Sequence, residues 1–269
     1  MLITGKPHIS FSEMKDWKEC SFRHKLKYID QVGIGEMNTA VCFGSAVHSA
    51  CENFLLTRSM NVQVCFDELE KLWNENSSIK EFSVQSLNDA KKDAEEILND
   101  IPNFMEETFP NWELVEAEKQ LYVEIKDYKI KSTGLDVYFK GYIDGIIKIK
   151  DDKGNEQFWI LDWKTSNLGW KPDKKQHPDT KMQLVLYKHY FSSLTNIPLK
   201  DIRCGYVILK KKYKPGKKCE LFSISIGETP IQNSLSIIKN MLTSLDKGIA
   251  IKNRLSCHYC DYYMSEYCK

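Results

Sequence analysis

The hydrophobic periodicity predicts a mixed α/β (α+β) chain, in which a central mixed β-sheet is flanked by helices and a helical N-terminal part serves as lid or support. Three observations carry this reading. Through the first 110 residues apolar side chains recur at helical spacing, as in Phe43, Val47, Cys51 and Phe54. From Trp112 to Lys164 the pattern turns to runs rich in β-branched and aromatic residues. Helical and strand-like segments then alternate towards the C-terminus.

At 269 residues, with 42% hydrophobic and 28% charged residues, the chain can bury a sizeable core. It reads as one unit, 1–269: a helical part (1–110), a sheet-bearing core (111–247) and a cysteine tail (248–269). A formal net charge of +1 excludes a polycation, so attraction to nucleic acid must come from local patches. No apolar run approaches the length of a membrane span, and MLITGKPHIS lacks the apolar core of a secretion signal. We therefore expect an intracellular, cytoplasmic protein with no membrane partner.

In chain order, Ser10 or Ser12 caps a first helix over Ser12–Ile29, with Cys20 in its middle. A glycine-containing loop, Gln31–Thr39, leads to a second helix, Val41–Arg58, where His48 sits beside the apolar stripe. Helices over Val62–Asn76 and Val84–Glu107 follow. Strand signals come at Trp112–Ile125, Lys126–Lys131, Val137–Ile149 and Phe158–Lys164. Asn167–Asp179 is a Pro- and Lys-containing loop, and Thr180–Leu194 is a helix. Two strands, Ile202–Leu209 and Cys219–Ile226, enclose the basic turn KKKYKPGKK before a last helix over Pro230–Lys247.

The chain is organised around Gly141–Ser166. Two strand signals there flank the turn chemistry of Lys150–Glu156, giving a β-hairpin with Asp144 on one strand and Asp162 and Lys164 on the other. Being two apart, Asp162 and Lys164 point to one face. Carboxylates among Ile160, Leu161 and Trp163 are costly to bury without a compensating cation. Oxygen ligands suit Mg²⁺ or Mn²⁺, which polarises a phosphodiester and acidifies a bound water. Lys164 would orient that water or steady charge in the transition state. On the hairpin pattern alone, a solvated hairpin with outward-facing Asp and Lys is the better reading, and the apolar setting of Ile160, Leu161 and Trp163 brings the site reading level with it. His48 is a candidate further ligand or a histidine at the core edge. Gln183 and Tyr187, at i and i+4, share a helix face, where they would grip a phosphate, orient Lys164 or sit as polar edge residues.

Five of the nine cysteines (Cys42, Cys51, Cys65, Cys204 and Cys219) are scattered singly and read as inert thiols. Cys257, Cys260 and Cys268 crowd the C-terminus and supply three ligands for one metal centre. Cys20 is the choice for a fourth. Such a set suits either Zn²⁺ or an iron–sulfur cluster, and His258 keeps a Cys₃His zinc site open. The lysines of Lys171–Lys181 and Lys210–Lys218 read as phosphate-contacting loops or as solvated turns.

Taken together, FGSAVHSA, GYIDGI, ILDWKTS and QLVLY resemble the PD-(D/E)xK nuclease superfamily in its RecB-type branch. SFSEMKDWKECSFRHKLKYI is similar to that branch's N-terminal cysteine helix, and CHYCDYYMSEYC to its C-terminal trio. The layout looks like stand-alone CRISPR-associated exonucleases and AddB-type nuclease domains. The resemblance implies a restriction-endonuclease-like core in which His48, Asp144 and Asp162 bind the divalent metal and Lys164 is catalytic. It makes Gln183 and Tyr187 the supporting pair. Cys20, Cys257, Cys260 and Cys268 become ligands of a structural [4Fe–4S] cluster. The usual PD stands here as Ile143-Asp144, which is ordinary for the branch.

The implied activity is hydrolysis of DNA, single-stranded or with free ends, by an exonuclease of DNA repair or recombination. Alternatives are an endonuclease using the same site, and a non-catalytic nucleic-acid-binding adaptor with a structural metal. No helicase motif is present, so any motor partner is a separate chain.

Overall fold

The computed structural model describes residues 2–33, 37–131, 133–151 and 153–269. The middle of the expected Gln31–Thr39 loop and one position of the Lys150–Glu156 turn lie outside them. A short strand, β1 (His8–Ser10), runs directly into α1 (Phe11–Glu19), whose first turn Ser10 caps by accepting the Glu13 amide hydrogen. Sequence periodicity did not predict β1, because three residues are too few to show a period.

The expected continuous helix over Ser12–Ile29 is instead broken at Cys20. It becomes α1, α2 (Ser21–His24) and a π-helical turn, Lys25–Ile29. Cys20 is extended, at φ −160° and ψ 107°. The Phe22 amide, which an unbroken helix would use internally, donates to the Ile251 carbonyl at 3.1 Å. A contact with the far end of the chain therefore breaks the helix.

The next three helices, α3 (Thr39–Thr57), α4 (Val62–Glu75) and α5 (Val84–Thr108), lie within two residues of expectation. Asn38, Asn61 and Ser83 cap them. The two strands expected between Trp112 and Lys131 are one, β2 (Glu113–Lys129), with register irregularities that absorb the mismatch. The hairpin forms from β3 (Asp136–Lys150) and β4 (Glu156–Ser166). A short α6 (Pro172–Gln176) occupies part of the expected loop and precedes α7 (Pro178–Thr195). The chain ends with β5 (Ile202–Lys210), β6 (Cys219–Ile224), α8 (Glu228–Asp246) and a 3₁₀ turn, Arg254–Tyr259.

Strand β3 is central. One edge pairs with antiparallel β2 along nearly its full length. Because a strand has only two edges, β4 and β1 share the other. β4 is antiparallel to β3 from Lys150 back to Gly145, and β1 is parallel to it from Tyr138 to Lys140. Between them, residues 141–144 face a gap. Beyond Leu161, β4 continues beside parallel β5, and β6 closes that side. The sheet therefore splits beside Asp144 and Asp162.

Two cores cover the sheet. Helices α3–α5 pack with Ile147, Leu161, Trp163, Val207 and Leu209, and α7 and α8 with Phe139, Ile143, Ile160, Tyr206 and Ile208. β5 is buried on both faces, as a central parallel strand must be. Gly141 is required by packing, since a Cβ there would stand 2.8 Å from the Tyr187 ring.

Candidate active site and cysteine clasp

The split sheet forms a cleft of about 370 Å³ lined by Asp144, Asp162, Lys164, Gln183 and Tyr187, together with residues of β1 and α1. Asp144 lies just past Gly145, where the β3–β4 ladder ends, and one of its oxygens accepts the Trp163 amide hydrogen at 2.8 Å. That bond ties β3 to β4 where their ladder has stopped. His48 Nδ1 stands 3.4 Å from the same oxygen, which brings α3 to the rim.

Asp162 is wholly buried. Lys164 Nζ lies 2.6 Å from its Oδ2 as an ion pair, yet neither carboxylate oxygen receives a directed hydrogen bond. An acceptor left in that state is costly unless a cation takes it up. Gln183 Nε2 donates to the Tyr187 hydroxyl at 3.1 Å, which fixes both side chains in the cleft wall.

The electrostatics follow from this crowding. Burial, reinforced by Asp162, pushes the Asp144 carboxyl well above its ordinary range. Burial alone would lower the Lys164 ammonium, but Asp162 and Asp144 outweigh it and the group is raised. Burial lowers His48, which favours a neutral imidazole with a lone pair to offer. Two carboxylates against one lysine, with an unbonded buried oxygen pair, form a donor set that fits a hard divalent cation. Among the described residues no three His, Cys, Asp or Glu side chains are drawn together as an ion would hold them.

A pH effect follows. A carboxyl whose pKa is raised on folding contributes stability below its unfolded value near 3.9, and loses it as pH climbs through the folded value. A cation at Asp144 must displace that proton. The rise in melting temperature on adding Mn²⁺ is therefore expected to be larger at about pH 8 than at about pH 5.5. Asp144→Asn should flatten the difference. Equal shifts at both pH values would remove Asp144 from the binding site.

Glu118, which sequence reasoning missed, lies near these groups. It lies on β2 between the pairs Ala117–Gly145 and Lys119–Ile143, in a left-handed conformation at φ 48°. Burial, and then the carboxylates of Glu52 and Asp162, raise its carboxyl. The β2–β3 pairing, which joins segments about 25 residues apart, puts it there.

The basic loop differs from its phosphate-contacting expectation. Lys218 is buried and pairs with Glu96 at 2.5 Å, and Lys212 pairs with Asp93 at 2.8 Å. Asp100 accepts the Gly216 and Lys218 amides, and Lys211 lies over the Phe43 ring. Acidic residues of α5 thus hold the loop, leaving Lys214 and Lys217 among its exposed lysines. In the other basic segment Lys175 pairs with Glu220, while Lys174 lies over Trp170.

Away from the cleft, Cys20, Cys257, Cys260 and Cys268 line one cavity with Phe22 and Leu26. All four are free thiols. Asn253 and Ser256 donate to the Glu19 carbonyl at 2.8 Å, and the Tyr262 hydroxyl donates to Val32 at 2.7 Å. The tail is thereby clasped to α1 and α2. His258 is exposed and outside the cavity lining, which weakens a Cys₃His site. Four thiols are the donor type of a cysteine-ligated centre, although among the described residues no three of them are drawn together as a metal would hold them.

A mixed sheet that splits to present two carboxylates and a lysine, backed by a Gln–Tyr pair, defines a phosphodiester-cleaving class. The sequence matches the PD-(D/E)XK nuclease superfamily over residues 8–268, and the chain belongs to that family. Its members generally use a divalent metal such as Mg²⁺ or Mn²⁺. Among solved structures, a protein from Eubacterium rectale, provisionally named an exonuclease, is similar with a TM-score of 0.58 and 17% identity. That match covers 95% of this chain and 87% of the other. A search of curated proteins finds no match. No helix among the described residues is long and apolar enough to cross a membrane.

Proposed function

We propose that this chain is a Mg²⁺- or Mn²⁺-dependent deoxyribonuclease of the RecB-type branch, an exonuclease acting on single-stranded DNA or DNA ends. The observation that carries the reading is the wholly buried Asp162 carboxylate, without a hydrogen bond on either oxygen, beside Lys164 in an open cleft. Asp144, Asp162 and His48 would hold the ion. When bound, it would neutralise charge on the phosphate and acidify a water. Lys164, kept cationic by its two carboxylates, steadies the phosphate oxygens as negative charge gathers on them. Tyr187, wedged beneath Gly141, holds Gln183 so that its free amide positions face the substrate.

The name of the Eubacterium rectale neighbour favours an exonuclease over an endonuclease. Cys20, Cys257, Cys260 and Cys268 would hold a structural [4Fe–4S] cluster, with zinc as the alternative, and residues 1–269 act as one nuclease unit. A helicase or recombination partner would be a separate chain.

End-labelled linear and covalently closed circular single-stranded DNA, digested side by side with Mn²⁺, test the activity. Linear DNA should be degraded and circles spared. Cut circles would make the protein an endonuclease, and no cleavage of either would make it a binding adaptor.

A further inference from the structure

The strand carrying Asp144 continues as an exposed aromatic and basic stripe that hydrolysis itself does not need. On β3, Val137, Phe139 and Ile143 are buried in the core beneath α7, and Tyr138, Lys140 and Tyr142 alternate with them on the outer face. Parallel β1 sets His8 beside Tyr138. From β2, the Tyr122 ring stacks on Tyr138 at 4.7 Å and 13°, and His8 meets it edge-on at 5.8 Å. Tyr122 and Tyr142 are 42% and 44% exposed, and Lys140 lies 5.7 Å from the Tyr142 ring.

Cross-strand aromatic pairs commonly just stabilise a sheet. Two features point beyond that here. His8, Lys140 and Tyr142 also line the cleft that holds Asp144 and Asp162, so stripe and cleft are continuous. The stripe also carries cations, Lys140 within it and Lys6 near His8, where both add to burial in pushing the imidazole down against Glu13, while Glu124 stands opposite Tyr138. Same-face side chains on a strand stand about 7 Å apart, so Tyr138 to Asp144 spans about 20 Å in three steps. That repeat suits an extended strand whose bases are unstacked from one another.

We propose that this stripe leads single-stranded DNA into the cleft, with bases stacked on Tyr122, Tyr138 and Tyr142 and phosphates near Lys140 and Lys6. Duplex DNA is excluded as its occupant, since pairing hides the base faces that rings would stack on. The assignment rests on the nuclease reading above and names the path its substrate takes.

Binding of a labelled oligothymidylate, measured by fluorescence anisotropy without divalent ions, tests it. The double variant Tyr122→Ala/Tyr138→Ala should bind at least about tenfold more weakly, with its salt dependence unchanged, because stacking releases no counterions. Tyr138→Phe should bind like the wild type. Lys140→Gln should lower the salt slope by about one. On the unaltered protein, a 5-iodouracil-substituted strand should photocrosslink to peptides holding Tyr122, Tyr138 or Tyr142, which decides the matter even if the double variant does not fold. Wild-type affinity in the folded double variant, or crosslinks mapping elsewhere, would overturn the path. Tighter binding of a duplex hairpin or of oligouridylate would overturn the single-stranded DNA assignment. Cleavage of the same strand with Mn²⁺ separates the two ideas. A wild type that cuts, with a double variant that binds normally, keeps the nuclease and loses the path. A wild type that never cuts, with a double variant that binds poorly, keeps the path and loses the nuclease.

Discussion

Asp162→Ala and Lys164→Ala are each expected to lower DNA cleavage by at least about a thousandfold, since each removes charge placed for the transition state. Both should remain folded, although Lys164→Ala leaves the buried Asp162 carboxylate without its partner and should melt below the wild type. The Asp162 carboxylate is wholly buried with the Lys164 ammonium 2.6 Å from one oxygen as its counter-charge, so its desolvation cost is only partly offset in the native state. Removing it relieves that cost but takes the nearest counter-charge from Lys164, leaving Asp144, so the Asp162→Ala and Asp162→Asn proteins should stay folded and melt close to the wild-type temperature. Falling activity with nearly steady stability in the Asp162 variants is the signature of a group kept for chemistry. His48→Ala should be milder, because two carboxylates can still hold a cation with water completing its shell. Cleavage by Asp162→Ala within about tenfold of wild type would remove the hairpin from the mechanism.

Protein purified without oxygen is expected to be brown, with iron and sulfide at about four each per chain. Cys20→Ser should cost as much stability as the same change at Cys257, Cys260 or Cys268, because losing any ligand opens the same clasp. The loss should be about 4 kcal/mol or more, the range reached when a metal site that staples a fold is removed. The hydrogen bonds from the tail to Glu19 and Val32 should keep part of the contact in place without the cluster.

The scattered cysteines are the controls, and alanine is the right substitution for them. Cys42, Cys51, Cys65 and Cys204 are essentially fully buried, so serine would strand a hydroxyl in the core at about 1–3 kcal/mol. Burial also pushes Cys65, Cys204 and Cys219 up to about 12, which keeps them as unreactive thiols. Colourless protein with one zinc per chain would replace the cluster but keep the clasp. A stable Cys20→Ser protein with its full metal content would break the clasp too.

The elements that hold the candidate site were legible in the sequence because their signals are local. Alternation in Phe158–Lys164 put Asp162 and Lys164 on one strand face, and their groups do meet at 2.6 Å. Helical spacing located α3 and α7, and with them His48 and the Gln183–Tyr187 pair. The series Tyr138, Lys140, Tyr142, Asp144 was equally readable as every second residue, but nothing local said which face would stay open.

That was decided by tertiary structure. The gap at residues 141–144 exists only because β1, some 130 residues earlier, occupies one half of the β3 edge and β4 the other. The lysines after β5 looked free until Asp93, Glu96 and Asp100 of α5, more than a hundred residues away, were placed beside them. Cys20 looked helical until the tail took the Phe22 amide and opened the turn. A side chain's period is set by its immediate neighbours along the backbone. Its charge partners and free edges are set by segments whose approach depends on the whole chain closing around two cores.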